Sequence, residues 1–268
     1  MRGHYWAGFC SGSGVVSKAL RAIGVAAREW ESSHGEWGDI TRRINLRGVI
    51  SDVRCGRCLG CCLAPPCGTF SSSLFWTGRL RSASEPWGLS RGLTDAQLKK
   101  VALSNIVVRS VLWLIGIFHR LRLPWICENP FSSLLWLLPQ FKRLARDKHV
   151  RLVTADQCRF GRPWRKRTLF MCGNIDSDDL GRLAKTCDGT RGYCPHRDGP
   201  HFVLRGAAPG GRAYTAIAAE YPPAMAKAIA HALTADAVAR HRHGSGCSAA
   251  WQRDHDLVFQ RHAARHGH

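Results

Sequence analysis

The sequence predicts one main α/β domain, a doubly wound and mostly parallel sheet with helices on both faces. Three observations carry this. Strand-like runs alternate with helical patterns from residue 5 to residue 233. Arg57 to Leu63 is a compact run of the kind that forms a central parallel strand. Between the first strand and the first helix stands a turn with Gly12 and Gly14, where glycine lets the backbone approach a ligand at the start of a helix.

Taken in order, residues Trp6 to Trp30 read as strand, glycine-rich turn, helix and second strand. Thr41 to Cys55 follows as a basic helix, and the central strand then ends in Ala64-Pro65-Pro66-Cys67, where two prolines stiffen the chain leaving the sheet. A loop with Gly78, Pro86 and Gly88 leads to a long helix from Thr94, its N-cap, to about His119. The next strand, Leu123 to Cys127, ends in Glu128-Asn129-Pro130. A short helix near Ser133 to Leu138, a strand at His149 to Thr154 and a turn and strand within Gly161 to Cys172 complete the core. Domain boundaries are expected at 1–172 for the core, 173–212 for a Cys/His loop region, 213–239 for a C-terminal helix returning to the core, and 240–268 for a weakly ordered His/Arg-rich tail.

The formal net charge of +20 over 268 residues favours polyanions, and nucleic acid is the expected partner. Basic residues occur throughout, so no single tail explains the excess. The greasiest stretch, from Val111 toward Leu138, is interrupted by His119, Arg120, Arg122 and Glu128, which argues against a membrane span. Near the N-terminus, His4, Gly12, Gly14 and Lys18 break any secretory signal pattern, so an intracellular location is expected, nuclear or nucleoid-associated if DNA is the substrate. The 12 cysteines are unevenly placed for a disulfide framework. Cys58, Cys61 and Cys62 superficially look like half a zinc knuckle but read better as buried strand residues.

Chemistry is expected where two strands end. Cys67 after one strand and Glu128 after a later one should open on the same rim of a parallel sheet, the edge where such folds bind ligands. A thiolate there can add to carbon 6 of a pyrimidine ring while a carboxyl group hydrogen-bonds ring nitrogen 3, which makes carbon 5 nucleophilic enough to accept a methyl group.

The ordered set of motifs resembles the DNA cytosine-5 methyltransferases over nearly all of residues 5 to 233. Phe9-Cys10-Ser11-Gly12-Ser13-Gly14 resembles the family's cofactor-binding F-x-G-x-G turn, with the phenylalanine displaced by one position. Arg28-Glu29-Trp30-Glu31 is similar to the acidic-aromatic end of its second strand, and Gly38-Asp39-Ile40 to its third motif. Ala64 to Ser71 is close to the P-P-C-x-x-F-S nucleophile loop, the most specific match, and Cys127-Glu128-Asn129-Pro130 resembles E-N-V. Phe160 to Thr168 looks like Y-G-x-P-Q-x-R-x-R with Trp164, Lys166 and Thr168 replacing the glutamine and both arginines, and Tyr221 to Ala230 is similar to the closing P-P helix without its Gly-Asn pair.

The resemblance implies a Rossmann-like, S-adenosylmethionine-dependent methyltransferase fold, with Cys67 as nucleophile, Glu128 as its partner, and Arg165 or Arg167 standing in for the base-orienting arginine. It implies S-adenosylmethionine contacts from Gly12, Gly14, Pro65, Glu29 at the ribose, Trp30 against adenine and Asp39 at the adenine amino group. The target cytosine would have to leave its stack, with Arg79, Arg81, Arg165 and Arg167 as phosphate contacts. The competing expectations are a catalytically impaired nucleic-acid-binding protein of the same fold, and methyl transfer to RNA.

A second constellation suits tetrahedral zinc: Cys158, Cys187, Cys194 and His201 form the preferred ligand set, with ordinary loop residues as the alternative. It occupies the place where the family inserts its target-recognition domain, and it is short. The tail histidines could bind metal or polyanions, but solvated disorder is the simpler reading. Oligomeric state is not legible in the sequence.

Overall fold

The computed structural model describes residues 3–71 and 78–242. Its first half holds β1 (Tyr5–Phe9), α1 (Val15–Ala22), β2 (Ala27–Trp30), α2 (Arg43–Arg54), β3 (Cys58–Leu63) and α3 (Asp95–Arg120). The second half continues with β4 (Trp125–Pro130), α4 (Pro139–Leu144), β5 (Val150–Asp156), β6 (Arg167–Gly173), α5 (Ser177–Leu180), β7 (Tyr193–Cys194), β8 (Gly199–Pro200), α6 (Tyr214–Ile217) and α7 (Pro223–Arg242). Strands β1 to β6 form one sheet in the order β2-β1-β3-β4-β6-β5. Neighbours among the first four strands are parallel, whereas β6 runs antiparallel to both β4 and β5. This mostly parallel mixed sheet is consistent with a Rossmann-like architecture.

Alternation of side chains along each strand divides the core into two layers. Tyr5, Ala7, Phe9, Leu63, Trp125 and Cys127 pack with Leu46, Val49 and Val53 of α2, Val108, Val111 and Leu114 of α3, and Phe141 of α4. Trp6, Cys62, Ile126, Phe170 and Cys172 pack on the other face with Val16 and Leu20 of α1, Leu180 of α5, and Met225, Ile229 and Leu233 of α7. Cys58, Cys61 and Cys62 are buried strand residues, as their run suggested.

Thr94 caps α3 through a capping box, its side chain accepting from the Gln97 N–H while Gln97 reaches back to the Thr94 N–H. By length and composition α3 is apolar enough to cross a membrane. In the fold its inner face lies on the sheet.

Three boundaries differ from expectation. β4 does not stop before Glu128, because the antiparallel β6 pairs Glu128 with Phe170, Asn129 with Leu169 and Pro130 with Thr168. The helical pattern from Tyr214 to Leu233 is interrupted between α6 and α7, with Tyr221 and Pro222 in the break. Helix α7 runs on to Arg242 and takes in the first residues expected in the tail. Residues 243–268, with the remaining tail histidines, lie outside the described residues.

Candidate functional site

β2 flanks β1 on one side and β3 on the other, so the winding of the sheet reverses at the β1/β3 pair. The crevice beyond the carboxyl ends of such a pair is where open α/β sheets take ligands. A cleft lies there, walled by Gly8, Phe9 and Ser11 from β1 and its turn, Ser17 and Leu20 from α1, Ala64 after β3, and Tyr221.

The turn after β1 is built from left-handed residues: Cys10 at φ +54°, Gly12 at +55° and Gly14 at +65°. At Gly14 a Cβ would also stand 2.8 Å from both carboxylate oxygens of Glu29, so any side chain there would push that carboxylate aside. Glu29 therefore packs directly against the turn and also faces Arg21 at 3.5 Å. Glu31, two residues further on and absent from the expected site, accepts a 2.8 Å hydrogen bond from the Gly12 N–H. Burial pushes the Cys10 thiol up to about 12, with Glu31 and Asp39 adding to the rise, so both carboxylates lie near the turn. One oxygen of Asp39 is committed locally, accepting from the Thr41 N–H and hydroxyl at 2.8 and 2.7 Å. Trp30 stacks inward on Phe9, with centroids 5.2 Å apart, and on Tyr5.

The loop carrying Cys67 is pinned at three points. The Asn129 amide donates to the Pro65 carbonyl at 2.8 Å, which joins the end of β4 to the chain leaving β3. Thr69 donates to Ser104 of α3 at 2.8 Å. Arg81 is 1% exposed, donates to Thr69, the Pro86 carbonyl and Asn105, and lies 3.7 Å over the Phe70 ring. Burial lowers its pKa to about 10, which still leaves it charged at neutral pH. The expectation that Arg81 contacts phosphate is therefore corrected: a buried guanidinium has spent its donors on the loop. Arg79 has a partner of its own within the chain.

Cys67 is partly buried in this loop. Burial raises its pKa, the cation of Lys166 opposes the rise, and the carboxylate of Glu128 reinforces it. Glu128 itself is raised by burial, while Lys166 and a 3.0 Å hydrogen bond from the Tyr221 hydroxyl pull it back. Thiol, carboxyl group and ammonium thus form one electrostatic unit. The Lys166 ammonium is held by the Ala218 carbonyl at 3.0 Å, and Gln157 donates to the same carbonyl at 3.1 Å.

This corrects the assignment of Arg165 and Arg167 to the reacting base. Both pair with Asp156, Arg165 Nε at 3.3 Å and Arg167 Nη2 at 2.8 Å, and Arg165 also donates to the Cys187 and Gly189 carbonyls. The strand period of two explains the exchange. On β6, Phe170 faces the Tyr221 ring, so the even-numbered Lys166 shares the side of Glu128 while 165 and 167 point away. Trp164, standing where the resemblance expects glutamine, donates to the side-chain Oε1 of Gln157 at 2.6 Å and is buried.

The four residues of the expected zinc set come together. The ligand atoms of Cys158, Cys187, Cys194 and His201 all lie within 4.8 Å of one another. Cys158 belongs to the turn just after β5, whereas the other three come from the loop around the β7–β8 hairpin. That loop is tied to the sheet by Asp156, fully buried at the end of β5, which accepts from the Cys187 N–H at 2.7 Å.

The fold and site define a class: a mostly parallel α/β domain whose β1, β3 and β4 carry, at the same rim, a glycine turn, a thiol and a carboxyl group, the last two in the field of one lysine. No family model and no curated protein matches the chain. Among solved structures it is similar to the Entamoeba histolytica methyltransferase EhMeth, at 15% identity and a TM-score of 0.38, over 66% of this chain and 54% of that one. The chain thus spans about half the length of that structure, and the description of the site rests on its own geometry.

Proposed function

We propose that this protein is an S-adenosylmethionine-dependent methyltransferase that modifies carbon 5 of cytosine in DNA through a covalent bond to Cys67. The observation that carries the reading is that Cys67 after β3 and Glu128 at the end of β4 share the field of Lys166 on the rim that also carries the glycine turn after β1, and that Tyr221, which lines the cleft, donates to Glu128. Two features of the turn suit a cofactor bearing a ribose and positive charge: Gly12 and Gly14 in left-handed conformation without side chains, and the carboxylates of Glu29 and Glu31 beside them. Gly12, Gly14, Glu29, Glu31 and Asp39 would hold it, and Trp30 would support the pocket from beneath. When bound, S-adenosylmethionine supplies an electrophilic methyl group.

The chain's own residues do the rest. The thiol of Cys67 is held protonated by burial, so the ammonium of Lys166 favours the thiolate that forms as sulfur bonds to carbon 6. As that bond forms the thiol proton passes to solvent and the ring's π electrons move toward carbon 5 and nitrogen 3; once carbon 5 carries the methyl group, loss of its proton to water expels the Cys67 sulfur from carbon 6 and restores the ring. Burial favours the neutral form of Glu128, which can donate a hydrogen bond to nitrogen 3 where charge develops. Tyr221 and the Ala218 carbonyl fix the carboxyl group and the ammonium in place. Because neither ring face is reachable in a duplex, the cytosine must be extruded, and a chain of net charge +20 provides the field that holds the strand.

Transfer of labelled methyl groups to DNA and to RNA, assayed side by side, tests the reading. Label in DNA that disappears in Cys67→Ser supports it. Label only in RNA reassigns the acceptor, and binding to both without label identifies a nucleic-acid-binding protein of the same fold that has lost catalysis.

A further inference from the structure

We propose that Cys158, Cys187, Cys194 and His201 form a tetrahedral zinc site that fastens the loop of residues 187–201 to the edge of the sheet. The inference is independent of the chemistry at Cys67.

The first argument is metric. A zinc ion bound at about 2.3 Å to sulfur and about 2.0 Å to nitrogen sets tetrahedral edges of about 3.8 Å between sulfurs and about 3.5 Å between sulfur and nitrogen. The Cys187 and Cys194 sulfurs stand 3.8 Å apart, and Cys187 Sγ is 3.6 Å from His201 Nε2. A disulfide would require about 2.05 Å. These two edges therefore already match a zinc coordination shell, all four donors lie within 4.8 Å of one another, and the Cys187 and Cys194 sulfurs stand too far apart for a sulfur–sulfur bond.

The second argument concerns what holds the loop. Among the described residues, β7 and β8 are two residues each and form a sheet of their own, joined to the main sheet by no ladder. Most residues from 188 to 200 are exposed, so little apolar burial is available to order them. The three sulfurs are the exception, at 3%, 2% and 0% exposure, and they make up a separate buried cluster. A segment too polar to build a core is ordered at a metal, and Cys158, fixed to β5, supplies the ligand that connects it to the domain.

The second shell also fits. The Asp156 carboxylate accepts from the Cys187 N–H, and Arg165 grips the Cys187 carbonyl, which orients that ligand. The His201 Nδ1 lies 3.1 Å from the Gly192 carbonyl, a partner that fixes the ring with Nε2 toward the sulfurs. An alternative triad of Cys187, Asp188 and His196 shares one sulfur, but Asp188 and His196 are exposed.

The test is metal content of the full chain purified without added metal, followed by titration of the chelated protein with Co(II). The proposal expects close to one zinc per chain, and Co(II) giving the visible ligand-field and thiolate charge-transfer bands of a tetrahedral three-sulfur site. Zinc should be lost in Cys194→Ser and His201→Ala and kept in His196→Ala. Because removing a ligand can unfold the loop by itself, the cobalt spectrum of the unaltered chain stands as an independent readout. A chain that purifies metal-free and gives no such bands overturns the proposal. So does a Cys187–Cys194 disulfide found by mass spectrometry, or a metal that depends on His196 and not on His201.

Discussion

Replacing Asp156 by asparagine should destabilise the protein by a computable amount and loosen one loop first. The carboxylate is fully buried and takes four hydrogen bonds: 2.9 and 2.8 Å from Arg167, 3.3 Å from Arg165 and 2.7 Å from the Cys187 N–H. One bond ends on Oδ1 and three on Oδ2, and an amide keeps one acceptor oxygen and turns its nitrogen toward donors, so one or three of the four are lost according to which way it is oriented. Charge-assisted bonds contribute about 1.5–3 kcal/mol each. Both guanidinium groups are about a third exposed and can recover water, which discounts the total to about 2–4 kcal/mol. With a urea slope of about 3 kcal/mol/M for a domain of this size, the midpoint should fall by about 1 M. Hydrogen exchange should show the Cys187 amide opening before the amides of β3 and β4. The pH dependence follows from the direction of the shift. Asp156 is held below the ordinary carboxylate value of 3.8, so its contribution is full above that value and disappears as pH falls through the lowered one. The difference between wild type and Asp156→Asn should accordingly be constant near neutrality and shrink in acid below about pH 4. An unchanged midpoint, or a difference that grows on acidification, would refute the reasoning.

Lys166→Gln removes the cation that lowers both Cys67 and Glu128, so alkylation of Cys67 by iodoacetamide should need higher pH, and an unmoved profile would place the lysine elsewhere. Tyr221→Phe deletes one of the groups that lower Glu128, so the carboxyl should titrate at higher pH by NMR with little loss of fold. Arg81→Lys keeps the charge but not the fork that binds Thr69, Pro86 and Asn105, and should lower Tm by several degrees and slow every reaction of Cys67. Gly14→Ala meets a left-handed φ of +65° as well as the Glu29 carboxylate, so a loss of about 1–3 kcal/mol and weakened binding of S-adenosylmethionine should appear together in thermal shift and calorimetry.

Much of the fold was legible because local signals agreed with each other. The CLGCCL run became the central strand, Thr94 and Gln97 marked the start of the longest helix, and the glycines of the first turn took left-handed angles. What local reading missed was pairing. Nothing around Glu128 announces an antiparallel neighbour, yet β6 extends β4 through Pro130 and decides which side its residues face. The same cause misassigned the basic residues. Three of them stand in a row at 165–167, and only the strand period, once the register with β4 is known, selects Lys166 for the side of Glu128 and sends its neighbours to Asp156. Arg81 was misread because a charged residue in a polar loop ordinarily faces water, and its burial depends on Thr69, Asn105 and the Phe70 ring, all distant in sequence or on other elements. Glu31 carried a usable signal, since it repeats the glutamate of the same Glu-Trp-Glu run at the alternation spacing. The Cys158, Cys187, Cys194 and His201 set was readable because three thiols and an imidazole in an otherwise polar stretch have few other reasons to be buried.

The central claim is that Cys67 attacks a pyrimidine held by Glu128. Incubating the protein with S-adenosylmethionine and a duplex containing 5-fluorocytosine tests it directly, because fluorine at carbon 5 blocks the elimination that would free the sulfur. The account predicts a denaturation-resistant complex whose cross-linked peptide contains Cys67, absent in Cys67→Ser and strongly reduced in Glu128→Gln. A duplex that binds but never cross-links, or a cross-link at any other cysteine, would contradict it.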